Sequence, residues 1–310
     1  MSKITVVGAG NVGATVANVL AHKDVVNDVV LLDIVGDLAR GKALDSWQQA
    51  PIDYYSTRLH GSDDYKDTAD SDVVVITAGI PRKPGMSRDD LISTNAKIVT
   101  SVTTSILEHS SNPIIIVVSN PLDVMTFAAH QVSGLSSERV FGMAGILDTG
   151  RYRAFLASEL NVSPKDIQAV LMGGHGDTMV PLPRYTTVAG IPVTELIDTD
   201  KLDAIVERTK KGGGELVKLM GTSAWYAPGA AAAQMVEAIV RDENRIFPCC
   251  ALLEGEYGIN GIFLGVPVKL GINGIEQIIE LKLNEAEMAL LKTSESHVRQ
   301  VIEVFEGMNV

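Results

Sequence analysis

Short runs of consecutive apolar residues alternate with longer stretches of helical spacing through the first half of the chain. Ile4-Thr5-Val6-Val7 reads as a buried strand, after which Val12, Val16, Val19 and Leu20 recur at helical intervals. Asp28-Val29-Val30-Leu31-Leu32 reads as the next strand and residues 36–49 as a helix. Val73-Val74-Val75-Ile76 and residues 114–118 read as two more strands. Between these two, Leu91, Ile92, Ile98, Val99, Val102 and Ile106 form one face of a helix, and Ser87 with Asp90 supplies a capping-box start. Val140-Phe141-Gly142 closes the series as a short strand. Strand–helix alternation of this kind predicts an α/β fold.

From about Arg151 the alternation loosens. Ala169-Val170-Leu171-Met172 reads as a short buried strand, and residues 188–193 as a strand across a Gly-Ile-Pro turn. Leu202, Ile205, Val206, Leu216, Val217 and Met220 keep helical spacing through Gly212-Gly213-Gly214, which should kink that helix or allow close packing. Residues 228–241 read as a helix with a small face at 230–233, suited to close contact with a neighbour or a second subunit. Residues 245–254 and 262–270 read as antiparallel strands. Asn284 with Glu287 caps a final helix whose stripe is Met288, Leu291, Val298, Val301, Ile302 and Phe305.

Composition narrows the function classes. The 310 residues are 46% hydrophobic and carry a net charge of −12, enough for a sizeable core under an acidic surface. That surface argues against nucleic acid or an anionic membrane as partner. The adjacent Cys249-Cys250 pair is neither a disulfide framework nor a spaced zinc motif, and the histidines lack metal-ligand spacing, so no metal site is expected. The strand pattern begins at once and no run approaches the ~20 apolar residues of a membrane span. A reduced, soluble, cytoplasmic protein is the expectation.

The chemistry gathers where strands end. Gly8-Ala9-Gly10-Asn11-Val12-Gly13 follows the first strand and opens a helix, and the second strand ends on Asp33. Each part answers a separate physical need. Gly8 allows the turn, Gly10 lets backbone approach a pyrophosphate, and Gly13 lets helix and strand pack closely. The helix N-terminus favours anions. Asp33 would accept bonds from a ribose diol and repel a 2′-phosphate, which favours NAD over NADP. The loop at residues 78–88 carries Arg82, Lys83 and Arg88, read either as a solvated basic loop or, for the arginines, as an anion grip. Asn120, in Ser119-Asn120-Pro121, either caps the next helix or contacts a ligand. Asp148 and Arg151 share a helix face, as a local salt bridge or as site groups. His175, crowded by Gly173, Gly174 and Gly176, is either a packed loop residue or a proton carrier close to something bound.

These motifs together make the chain resemble the lactate/malate dehydrogenase family from end to end, and within it the malate dehydrogenases similar to lactate dehydrogenase. The resemblance implies a Rossmann-type doubly wound parallel sheet over residues 1–145 that binds NAD. It implies an α+β substrate-binding and catalytic domain over 146–310. It implies His175 as proton carrier, with Asp148 orienting its ring. Arg151 would hold the C1 carboxylate, Arg88 and Asn120 the C2 oxygen, and Asn95, Val118 and Asn120 the cofactor. In that family the position six before the closing arginine is commonly glutamine in lactate dehydrogenases and arginine in malate dehydrogenases; here it is Arg82. A small dicarboxylate (malate or oxaloacetate) is therefore the expected substrate, and a homodimer or homotetramer the expected assembly. The alternatives are an L-lactate dehydrogenase, an NAD-dependent glycosidase and a catalytically silent NAD-binding protein.

Overall fold

The computed structural model describes residues 3–81 and 86–308. Strands β1 (Lys3–Val7), β2 (Asp28–Leu32), β3 (Arg58–Ser62), β4 (Val73–Ile76), β5 (Ile114–Val117) and β6 (Val140–Gly142) run parallel in the order β3-β2-β1-β4-β5-β6. Helices α1 (Asn11–Lys23), α2 (Gly36–Trp47), α3 (Ala50–Asp53), α4 (Arg88–Leu107) and α5 (Leu122–Ser133) link them. Every residue of β4 and β5 is buried, as strands covered on both faces require. The strand order reverses between β1 and β4, so the loops after these two strands leave a crevice at their carboxyl ends, where open α/β sheets bind ligands.

The second half builds onto the same sheet. Helix α6 (Gly145–Leu160) precedes short strands β7 (Ile167–Gln168), β8 (Leu171–Met172), β9 (Val180–Pro181), β10 (Thr187–Val188) and β11 (Ile191–Pro192). Helices α7 (Thr199–Lys210), α8 (Gly212–Met220) and α9 (Tyr226–Val240) follow. Then β12 (Arg245–Glu254), β13 (Asn260–Gly271) and β14 (Gly274–Ile278) add an antiparallel extension, β14-β13-β12-β6, which makes one nine-stranded sheet. The join is Cys250 of β12 opposite Gly142 of β6. Helix α10 (Glu285–Glu306) starts on the Asn284–Glu287 capping box and lays Val298, Val301 and Phe305 into the core.

Several details depart from the sequence pattern, for physical reasons. The strand expected at 169–172 begins only at Leu171 and ends as expected at Met172, where the backbone turns at Gly173 (φ +84°) and pairs with Gly265 of β13. Residues 188–193 are not one strand but the turn and return of a hairpin, with Ala189 and Gly190 both at positive φ. The long helix expected across the glycines is two, broken at Lys211. Helix α9 packs closely on α1 just before the small face expected at 230–233: a Cβ at Gly229 would lie 2.5 Å from Thr15 Cγ2, and Ala231, Ala232 and Ala233 are buried while Ala230 is exposed. Among the described residues no helix is long and apolar enough to cross a membrane.

Candidate active site

The glycine turn between β1 and α1 is shaped by what cannot be there. Gly8 sits at φ +103°, and a Cβ on Gly13 would fall 1.8 Å from the Gly8 carbonyl oxygen, so α1 lies closer to the turn than any side chain permits. Gly10 is the reverse case: a Cβ there would meet nothing within 4 Å. It is also the N-cap of α1, and neither a side-chain cap nor a first-turn acid occupies the helix end. Asn11 is exposed and Val12 half-buried at that end. Asp33 closes one flank, its carboxylate accepting the N–H of Ala9 at 2.6 Å and of Val35 at 2.9 Å. Lys42 Nζ donates to the Ala9 carbonyl at 2.8 Å. An open backbone face at an uncapped helix N-terminus, bordered by an acid, fits a dinucleotide with a pyrophosphate and an unmodified ribose diol.

On the other side of the crevice Asn95 of α4 acts as a clamp. Its amide accepts the Ile80 N–H at 2.8 Å and donates to the Asn120 carbonyl at 2.7 Å, fastening the loops after β4 and β5 together. Val118 is buried and its N–H bonds the Ile76 carbonyl. The capping alternative for Asn120 fails: Pro121 is the N-cap of α5, with no side-chain cap bond. Arg88 is exposed at the start of α4, where its Nη2 lies 3.2 Å from His297 Nε2 of α10. Arg82 and Lys83 lie outside the described residues.

At the centre Asp148 joins two segments through one carboxylate. Oδ2 meets His175 Nδ1 at 2.8 Å and Oδ1 accepts Arg151 Nη1 at 3.0 Å. Both alternatives for Asp148 and Arg151 are thus present, because the local salt bridge is itself part of the histidine's surroundings. The Asp148 charge holds the imidazole above its usual pKa, against the opposing pull of burial. The loop that carries His175 is pinned by Ser294 of α10, whose Oγ accepts the Gly174 N–H at 2.7 Å. Arg151 Nε is buried and, among the described residues, unpartnered. Arg139 and Arg153 also bury a lone Nε, but only Arg151 joins the Asp148–His175 pair. A Cβ on Gly212 would come within 3.2 Å of Arg151 Cδ, so the glycine run makes the room in which this guanidinium lies.

Three of these contacts, those of Gly212, Ser294 and His297, were outside the sequence reading. The glycine run pointed at close packing without naming the partner. Ser294 and His297 lie beside Val298 on α10, where a polar side chain facing inward was the available signal.

The fold is therefore that of an α/β dinucleotide-binding protein with a second α/β half that carries an acid–histidine–arginine cluster. Residues 2–142 match the family model for the lactate/malate dehydrogenase NAD binding domain, and residues 146–308 that for the lactate/malate dehydrogenase alpha/beta C-terminal domain. The chain belongs to the lactate/malate dehydrogenase family. It is 67% identical to the malate dehydrogenase of Cytophaga hutchinsonii over 99% of this chain and 98% of that one. Among solved structures it is similar to the malate dehydrogenase of Salinibacter ruber, with a TM-score of 0.95 and 56% identity over 98% of this chain and 97% of that one. The lactate dehydrogenase of Cryptosporidium parvum, solved with lactic acid and the dinucleotide, also reaches a TM-score of 0.95, at 38% identity over 99% and 98% of the chains.

Proposed function

We propose that the protein interconverts (S)-malate and oxaloacetate with NAD, and that the cluster around Asp148 carries the chemistry. The observation that supports this most directly is the buried, unpartnered Nε of Arg151 beside the Asp148–His175 pair. A buried donor without a partner costs about 1–3 kcal/mol, and a substrate carboxylate would supply that partner with charge-assisted bonds. It would thereby place the C2 oxygen near a histidine able to exchange a proton. Bound NAD would supply the hydride acceptor, and NADH the donor.

The protein's own residues then do the following. In malate oxidation neutral His175 takes the C2 hydroxyl proton at Nε2, while Asp148 fixes the ring through Nδ1 and stabilises the resulting imidazolium. In the reverse direction the imidazolium returns that proton. Arg151 orients the C1 carboxylate, and Asn120 and Arg88 polarise the C2 oxygen. Gly8, Ala9, Gly10, Asn11, Val12 and Gly13 with Asp33, Asn95 and Val118 form the cofactor side. Arg82 pairs with the C4 carboxylate, a reading supported by its place in the loop and by the malate dehydrogenases among the relatives.

The test is kcat/KM for oxaloacetate and for pyruvate with NADH, in the unmodified protein and in Arg82→Gln. Oxaloacetate should be strongly preferred by the unmodified protein. The substitution should cost oxaloacetate about two to four decades, the equivalent of leaving a buried charge unpaired at ~3–5 kcal/mol, while pyruvate loses nothing. Preference for pyruvate in the unmodified protein would make it a lactate dehydrogenase. An unchanged ratio in Arg82→Gln would move the specificity role elsewhere.

A homodimer or homotetramer is part of the same reading. The exposed Leu38, Leu44 and Trp47 of α2, with Ile52 of α3, leave apolar area that a second copy would cover. Cytoplasmic placement suits the two free, buried cysteines.

A further inference from the structure

Asp123 is an acid in a place that packing alone would give to an apolar residue. It lies in the first turn of α5, three residues after Asn120, among the buried Leu122, Val124 and Met125. Its carboxylate is 9% exposed by residue and bridges two distant segments. Oδ2 accepts the backbone N–H of His175 at 3.3 Å, and Oδ1 accepts the Cys250 thiol of β12 at 3.2 Å. Gly174 leaves room for the approach, since a Cβ there would lie 3.3 Å from Oδ2 and 2.9 Å from Val298 Cγ2. A buried carboxylate is expensive, and packing would be served as well by a neutral side chain of similar volume. What only an acid adds to such an acceptor is a charge fixed against the histidine's own backbone.

We propose that Asp123 is a positioning residue for His175, anchoring the backbone of the histidine loop to the Asn120 turn and to β12 while adding a second negative charge near the imidazole. The proposal rests on the reading of His175 as the proton carrier. Asp148 addresses the ring and Asp123 the main chain, so the histidine is held from two sides by carboxylates on different helices. The Asn120 turn and His175, the two groups proposed to meet the C2 oxygen, are thereby tied through one side chain.

The ionisation of Asp123 follows from its surroundings. Burial pushes its carboxyl up to about 6, against the lowering effects of the Cys250 thiol and the His175 charge. Burial first, with the Asp123 charge, pushes the Cys250 thiol well above its usual value, so it remains a donor. Facing Asp123 are therefore His175 from the loop after β8 and Cys250 from β12. Arg88 of α4 and His297 of α10 line the same small cavity, of about 50 Å³. Asp148 and Arg151 of α6 connect to it through His175. Charged Asp123 favours the imidazolium. Its support is present above about pH 6 and lost as the carboxyl protonates in acid.

The experiment is the pH profile of kcat/KM for oxaloacetate with NADH in the unmodified protein, Asp123→Asn, Cys250→Ala and Cys250→Ser, with NADH affinity and Tm measured for each. Asn keeps an acceptor for the His175 N–H but no charge. Its alkaline limb should move down by about one pH unit, the size of shift that loss of one nearby opposite charge produces, with NADH affinity unchanged. Cys250→Ala removes a donor that helps keep the carboxylate ionised, so less of Asp123 is charged near neutrality and the alkaline limb should move down, by less than in Asp123→Asn, while the hydroxyl of Cys250→Ser should restore it. If Asp123→Asn fails to fold, the two cysteine variants still decide the matter. Superimposable profiles for Cys250→Ala and Cys250→Ser, or an unshifted limb in folded Asp123→Asn, would overturn the proposal. His175→Asn separates the two readings. An inactive His175→Asn with unshifted limbs in the other variants removes only this inference, whereas an active one removes the proton-carrier reading itself.

Discussion

Asp148 is 2% exposed and spends both oxygens, one on His175 and one on Arg151, which fixes a sign for the pH dependence. The Asp148 charge is the largest cause raising the His175 pKa, and burial only partly offsets it. In the proposed mechanism oxaloacetate reduction uses the imidazolium, so its kcat/KM should hold level through neutrality and fall as pH rises through the raised value. Malate oxidation uses the neutral ring and should rise across the same interval. Asp148→Asn removes the main cause, and both limbs should move to lower pH by about one to three units. An alkaline limb that stays in place, or moves up, would remove Asp148 from this role. Asp148, Arg151 and His175 were legible as candidates because each sits in a short local pattern, and the structure joins them in one hydrogen-bonded chain. Asp123 was not, because its partners lie 52 and 127 residues away and nothing near it in sequence names them.

The break between α7 and α8 shows an element boundary serving a side chain. Lys211 leaves helical geometry, with φ −91° and ψ 1°, and Gly212 restarts the helix against the Arg151 stem. Gly212→Ala should cost the fold little, since alanine is the better helix former by about 1 kcal/mol. Its Cβ would stand 3.2 Å from Arg151 Cδ, so the guanidinium must shift by a few tenths of an ångström. KM for oxaloacetate should rise by about three- to tenfold, worth ~0.7–1.4 kcal/mol, with Tm unchanged or higher. An unchanged KM would mean that Arg151 needs no such clearance. The apolar runs of β1, β2, β4 and β5 made these strands readable, and the capping boxes marked the starts of α4 and α10. Strand β3 was not readable, because Arg58, His60 and Gly61 give it the polarity of a loop while pairing with β2 makes it a strand. Gly61 fits there because a Cβ would lie 2.2 Å from the backbone of Ala39 in α2.

At the scale of the whole molecule the sheet is continuous, yet its two ends do different work. The parallel strands present the glycine turn and Asp33 at their carboxyl ends. The antiparallel strands from the second half hold the histidine loop, through the Gly173–Gly265 bridge, against the same crevice. That continuity was invisible in the sequence, because the pairing of Cys250 with Gly142 spans more than a hundred residues and leaves no local pattern. The overall fold also does not choose the substrate: a malate dehydrogenase and a lactate dehydrogenase share it at the same TM-score of 0.95. Substrate choice has to reside in particular side chains. Division of labour between the halves makes binding and chemistry separable, and the central claim can be tested through that separation. The measurement is NADH affinity together with the rate of oxaloacetate reduction in His175→Asn. The glycine turn and Asp33 are untouched by the substitution, so NADH should bind as tightly as before. The rate should fall by about 10²–10⁴-fold, the usual contribution of a positioned proton carrier. Near-normal turnover with intact NADH binding would contradict the account.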